Sequence, residues 1–361
     1  MTGVVSSRIL RLVLAAALSL APMLARAALT VPASEASLAW GAGAWDSWKQ
    51  HFLGGDGRVT DDSNNGISHT EGQGYGMLLA VFANDRPAFE KIWGFATREL
   101  YIRKDGLGAW KYVPDATPHV PDQNNATDGD LLIAWALAEA GKAWKEPKFI
   151  AAAKQIALAI GRNALASSSY GPVIKPGAVG FGVLDSEDGP VVNLSYWVYP
   201  AFDALKAVAP DVNWQDLRAS GLALTQAARL GPAQLPPDWL SLRQIQPQAA
   251  KNFPAVFGYN AIRVPLYLAW AGLADADRLA PFAVQWRKSE QKPSVIDIAT
   301  GRATEPMDDL GYQAVAALTR CAADGQKLPD ELRLVRPDHY YSTTLHMLSL
   351  LAMRQRFPQC L

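Results

Sequence analysis

The sequence predicts an all-α protein, and three observations carry that expectation. Ten stretches repeat apolar residues at spacings of three and four: 36–52, 72–100, 129–141, 147–163, 198–208, 214–229, 260–273, 275–289, 308–321 and 342–356. Strand-like runs are few and sit in Pro/Gly-rich connections, chiefly 165–192, where Val173, Val179 and Val183 suggest short strands. No linker, low-complexity tract or composition shift divides residues 28–361, which read as one domain. Helices with one apolar face and no sheet to cover it must pack on one another. In 129–141 the stripe is marked by Leu131, Trp135 and Ala138.

The segment before residue 28 has a different character. Arg8 and Arg11 give a basic start, Leu12 to Leu24 a short apolar stretch broken by Pro22, and Ala25-Arg26-Ala27 a small-x-small site. That is the plan of a secretory signal, and the apolar stretch is shorter than the roughly 20 residues of a spanning helix. Cleavage after Ala27 and a periplasmic or secreted location are expected, with no membrane span afterwards.

Basic and acidic residues number 34 each. Losing Arg8, Arg11 and Arg26 leaves a net charge of about −3. This argues against a nucleic-acid partner, which calls for a basic stripe, and suits a neutral polymer. Cys321 and Cys360 are the two cysteines. An oxidising compartment permits a bridge pinning the C-terminal tail; two free thiols are the alternative.

Three constellations carry chemistry. Ser68-His69-Thr70-Glu71-Gly72-Gln73-Gly74-Tyr75-Gly76 opens a helix, and Ser68-x-x-Glu71 fits a capping box. A cap does not need three glycines, each costing about 1 kcal/mol inside a helix; close approach of a backbone or ligand beside Glu71 explains them. In Asn124-Asn125-Ala126-Thr127-Asp128-Gly129-Asp130, one aspartate is expected to cap and the other to point into a cleft. In Tyr259-Asn260-Ala261-Ile262-Arg263, Asn260 and Arg263 share a helical face, otherwise an ordinary polar start.

Other chemistries lack their residues. The five histidines form no metal-binding pattern, and neither a Gly-x-Ser-x-Gly elbow nor a phosphate loop is present. Carboxylates and 12 tryptophans remain, the equipment of glycoside cleavage, in which carboxylates flank the bond and aromatic faces stack on sugars. No metal or organic cofactor is implied.

Together these residues resemble glycoside hydrolase family 8, and within it the periplasmic endoglucanases that accompany bacterial cellulose synthase. The most specific element is Ala126-Thr127-Asp128-Gly129-Asp130-x-x-Ile133-Ala134-x-Ala136-Leu137. The resemblance implies an (α/α)6 barrel of helical hairpins, a β-1,4-glucan substrate and an inverting pair of carboxyl groups. It makes Glu71 the general acid and Asp128 the group that binds the distorted sugar, with Arg263 orienting its neighbours. It places Trp110, in Leu107-Gly108-Ala109-Trp110-Lys111-Tyr112, against a sugar, with Asp130, Tyr196, Tyr340 and Tyr341 as further substrate contacts. The cellulose synthase export complex is the partner it suggests.

One position departs from that pattern. The endoglucanases most like this chain carry aspartate, the general base, where Asn260 stands. An amide holds a water but does not take its proton at neutral pH. Three explanations stay open. Another carboxylate serves, Asp128 being nearest by motif and Asp185, Glu187, Asp188, Asp308 and Asp309 depending on whether their loops reach the cleft. Alternatively the protein binds glucan and cuts it poorly, or residue 260 departs from a natural aspartate. A change of substrate to chitosan, xylan or mixed-linkage glucan keeps the enzyme class.

Overall fold

The order of the helices follows the periodicity closely. The computed structural model describes residues 39–289 and 292–361; the expected signal segment lies outside the described residues. Eleven α-helices occur among these: α1 (Ala44–Phe52), α2 (Thr70–Phe82), α3 (Arg86–Phe95), α4 (Thr127–Ala143), α5 (Pro147–Asn163), α6 (Tyr199–Val208), α7 (Trp214–Ala227), α8 (Arg263–Trp270), α9 (Ala276–Lys288), α10 (Leu310–Asp324) and α11 (Tyr340–Arg356). No helix among the described residues is long and apolar enough to cross a membrane.

Two expected helices break where local chemistry dictates. The 72–100 stretch divides because Asn84 takes a left-handed φ of 54°; Asp85 then caps a new helix through the Ala88 N–H, with Pro87 in its first turn. A short π-helical turn, Ala96–Leu100, ends it. In 36–52, Gly41 and Gly43 have φ of 81° and 84°, so α1 starts at Ala44. Elsewhere the residues suit their places. Helix α4 is Ala- and Leu-rich, with Asp128 and Asp130 in its first turn and Lys142 in its last, complementing the helix dipole.

Helices α2, α4, α8, α10 and α11 are buried on nearly every face, whereas α1, α3, α5, α6, α7 and α9 bury mainly one. Around the ring α2 packs on α4, α4 on α6, α6 on α8, and α8 on α10 and α11; α3, α5, α7 and α9 pack outside them. This is the (α/α)6 barrel. Its core is continuous, and Trp40, Trp48, Trp197 and Trp286 are wholly inside it.

Ten short strands join the helices. β1 (Ser68–His69) pairs with β2 (Lys111–Tyr112), and β3 (Leu165–Ser168) with β4 (Gly171–Ile174). β5 (Val191–Val192), β6 (Leu240–Ser241) and β7 (Gln248–Ala249) form one antiparallel sheet. β8 (Val256–Phe257), β9 (Ser294–Asp297) and β10 (Ala303–Pro306) form another. Val173 lies in β4 as expected, but Val179 and Val183 lie outside any strand and are exposed, having no neighbouring strand to pair with. Cys321, in the last turns of α10, is bridged to Cys360 at the C-terminal end.

Candidate active site

The starts of α2, α4 and α8 meet at one point because glycine lets them. A Cβ at Gly129 would stand 2.1 Å from Thr70 Oγ1 and 2.7 Å from the Glu71 nitrogen. One at Gly74 would stand 2.6 Å from Leu132 Cβ. The glycines around Glu71 thus serve helix-to-helix approach. The capping box does not form. His69 is the N-cap, its Nδ1 accepting the Gly72 N–H at 2.9 Å. Ser68 belongs to β1 instead, where its hydroxyl is buried without a partner.

Arg263, the first residue of α8, is the hub. Its Nη1 donates to Glu71 Oε2 at 2.5 Å and to Asp128 Oδ2 at 2.9 Å, and its Nη2 donates to Asn260 Oδ1 at 3.0 Å. Asp128 Oδ1 accepts from the Gly129 N–H at 2.8 Å. Asp128 is 1% exposed, and burial raises its carboxyl; Arg263 opposes the shift and Glu71 adds to it. Burial likewise works against the Arg263 charge, but Glu71 and its other neighbours outweigh it and hold the guanidinium protonated. Tyr196 completes the group, its ring 5.9 Å from the guanidinium carbon and its hydroxyl pushed up by burial and then by the neighbouring Asp128 charge.

Asp130 is placed differently from the expectation. Neither aspartate caps α4, whose N-cap is Ala126. Asp130 is completely buried and accepts from Gly108 N–H (2.9 Å), Tyr101 Oη (3.1 Å) and Asn125 Nδ2 (3.0 Å). It therefore ties the Leu107–Trp110 segment to α4 and has no free face for a sugar. Burial pushes its carboxyl up to about 7 against those donors. Trp110 is held beside the start of α2, its carbonyl accepting the Thr70 N–H at 3.0 Å and its indole donating to Asp122 Oδ2 at 2.8 Å.

Two cavities adjoin neighbours of this group, one at Tyr196 and the other at Tyr341; Glu71, Asp128 and Arg263 line neither. One, of about 310 Å³, is walled by Trp110, Asn125, Ala126, Phe181, Tyr196 and Trp239. Trp239 stacks on Phe253 at 4.2 Å between centroids, and Phe181 lies parallel to it at 6.0 Å. The other, of about 450 Å³, has Asp61, Tyr259, Asp308, Asp309, Tyr312 and Tyr341 among its walls. Tyr341 donates from its hydroxyl to the Tyr259 carbonyl at 2.7 Å. Tyr340, expected beside it, is 1% exposed and packs among Trp48, Phe52 and His69, so it offers a sugar nothing.

Of the distant carboxylates, only Asp308 and Asp309 reach this second cavity. Asp188 accepts from the Lys251 N–H and, with Glu187, lines a small cleft elsewhere; Asp185 closes its own loop on Gly182 N–H. Asp61 was not foreseen. Its carboxylate meets His69 Nε2 at 3.3 Å. Burial disfavours the His69 charge, but Asp61, Glu71 and Asp128 raise its pKa overall. The Gly72 N–H, which needs Nδ1 as an acceptor, favours the neutral ring.

Comparison with known proteins gives a consistent result. The chain is 38% identical to a probable endoglucanase of Novacetimonas hansenii over 316 residues, covering 85% of this chain and 89% of that one. It is 37% identical to an endoglucanase of Cellulomonas uda over 287 residues, 78% of each. An endo-β-1,4-glucanase structure from Acetobacter xylinum superposes with a TM-score of 0.79 at 36% identity, covering 90% of this chain and 99% of that one. The endoglucanase structure from Klebsiella pneumoniae also gives 0.79, at 34% identity, covering 87% and 99%. A sequence model described as glycosyl hydrolases family 8 matches residues 17–355, and the chain belongs to that family of glycoside hydrolases.

Proposed function

We propose that this enzyme is an endo-acting β-1,4-glucanase that inverts the anomeric carbon. The observation that carries the reading is the Glu71–Arg263–Asp128 cluster with one open cavity at its neighbour Tyr196 and another at its neighbour Tyr341, which suits a chain running past the cluster and being cut internally. Glu71 protonates the glycosidic oxygen as the bond to the anomeric carbon breaks. Asp128, held by Arg263, steadies positive charge on the distorted sugar. Water attacks from the opposite face, and its proton passes to a carboxylate of the second cavity, for which Asp309 is best placed. Asp309 is the N-cap of α10, yet its side chain is spent on no cap; burial and the neighbouring Asp338 raise its basicity.

Viscosity and reducing ends of carboxymethylcellulose, followed together, test the reading. An endo enzyme collapses viscosity while few ends appear; loss of viscosity only in proportion to new ends would overturn it.

A second reading has its own observation. Asn260 stands in place of a carboxylate and is anchored on Arg263, which suits a protein that binds glucan without cutting it. Tight cello-oligosaccharide binding with no turnover would select that reading. The basic, apolar and small-residue pattern ahead of Ala28 supports export, and work beside the cellulose synthase complex follows from the sequence resemblance. An intact mass of the exported chain beginning at Ala28 tests the first point; co-purification with the synthase tests the second.

A further inference from the structure

The turn that carries Asn260 and starts α8 is held from behind by a carboxylate. Asp238 follows Pro236 and Pro237, is 7% exposed, and its N–H donates to the Val256 carbonyl at 2.7 Å. Its Oδ1 accepts from Gly258 N–H at 2.9 Å and Ala261 N–H at 2.8 Å. Burial raises the Asp238 carboxyl, and the neighbouring Gly258, Asn260 and Ala261 N–H groups and the Asn260 side-chain amide pull against that shift. A Cβ at Gly258 would lie 2.8 Å from its Oδ2, so only glycine lets the turn close onto it. Asp238 itself lines neither cavity.

The two ends of the Asn260 amide are therefore assigned. Its oxygen accepts from Arg263 Nη2, and its NH2 faces Asp238, since an ionised carboxylate only accepts. The Asn260 amide thus stands between Asp238 and Arg263, and Arg263 in turn is hydrogen-bonded to Glu71 and Asp128. Without Asp238 the amide loses the partner that sets its direction.

We propose that Asp238 is a positioning residue for glucan cleavage: it fixes the Asn260 amide and, through it, the guanidinium that joins Glu71 to Asp128. This rests on the glucanase reading. It also makes residues 238 and 260 a matched pair, one carboxylate and one amide, so that aspartate at 260 alone sets two carboxylates face to face.

The test compares Asp238→Asn, Asn260→Asp and the exchange of both. In Asp238→Asn the amide oxygen still accepts from Gly258 and Ala261, but two NH2 groups confront each other. On cellopentaose, kcat is expected to fall about tenfold to a hundredfold, with KM within about threefold and the melting temperature nearly unchanged. The exchange restores one donor facing one acceptor, and kcat is expected to return to at least about a third of the parent, whereas Asn260→Asp alone stays well below the exchange. Asn260→Asp as fast as the exchange would assign the recovery to the new carboxylate and overturn the pairing. A residue that only braces the turn does not respond to what stands at 260.

Parental kcat in Asp238→Asn overturns the proposal, as does an exchange variant that melts like the parent but stays slow. If Asp238→Asn does not fold, the exchange must both fold and cut, or the proposal is wrong. The underlying reading fails separately, through Glu71→Gln at the parental rate or a parent that never turns over. In the latter case this proposal, which concerns kcat, is overturned together with that reading.

Discussion

Glu71 and Asp128 accept hydrogen bonds from the same nitrogen, Arg263 Nη1, at 2.5 and 2.9 Å. Two oxygens on one donor stand less than ~6 Å apart, short of the ~6.5–9.5 Å at which an inverting pair admits water. Asp128 therefore stands too close to Glu71 to be the second carboxylate of an inverting pair. A retaining pair sits at ~5–5.5 Å, but Asp128 is 1% exposed and both its oxygens are engaged, by Gly129 and Arg263.

The first prediction follows from that geometry. Proton NMR of cellopentaose cleavage should show the α-anomer first, before mutarotation. Glu71→Gln should lower kcat by about 10²–10⁴-fold with an unchanged melt. An initial β-anomer would assign Asp128 a covalent role against this account.

The second concerns the missing base. Asp309→Ala should lower kcat by about 10²-fold or more, and added azide should restore turnover as an α-glycosyl azide. Asp61→Ala keeps Asp309 and should lose less. Azide rescue of the Asp61 variant alone would move the role to Asp61, whose carboxylate shares the cavity.

Much of this site was legible because its chemistry lies in contiguous motifs. Glu71, Asp128 and Arg263 each start a helix, and a helix start is announced by local residues: the glycines after Glu71, the paired acids before Leu131, the Asn-x-x-Arg spacing. Asn260 stood out against the same pattern. The rest depends on who faces whom across the barrel. Asp130 looks like a cleft residue in one dimension, and only the fold brings Gly108 and Tyr101 onto it. Tyr340 and Tyr341 are adjacent in sequence but point to core and cavity respectively. Asp238 is 22 residues before Asn260 and signalled by nothing but two prolines. The break between α2 and α3 was missed because Asn84 adopts a left-handed conformation that apolar periodicity does not register.

Asp130 gives the protein a pH-dependent stability whose sign is fixed. Its folded value of about 7 lies above the ordinary ~3.9. The folded state thus holds a proton that the unfolded state releases between these values. The contribution is fully present below about pH 4, and is lost as pH rises to about 7. Three pK units amount to roughly 4 kcal/mol at the limit. Asp130→Asn loses the bond from Asn125 but also that dependence. Its melting temperature should fall below the parent's at pH 5, with the gap narrowing by pH 8. A gap that is constant across this range would show that Asp130 stays ionised throughout.

The last prediction concerns the C-terminal tail. Cys321 lies near the end of the buried helix α10, and Cys360 is the last residue of a terminal 3-10 turn, its carbonyl accepting the Leu328 N–H at 2.7 Å. The bridge closes a loop of 39 residues, which restricts the unfolded chain by about 2–4 kcal/mol. Reductant should lower the melting temperature of the parent by several degrees. The double variant Cys321→Ser/Cys360→Ser should begin at that lower value and ignore reductant. Activity at 25 °C should survive in both, because the bridge is at the opposite end of α10 from Asp309. Loss of cleavage on reduction of an otherwise folded chain would show instead that the tail is coupled to the cleft along α10.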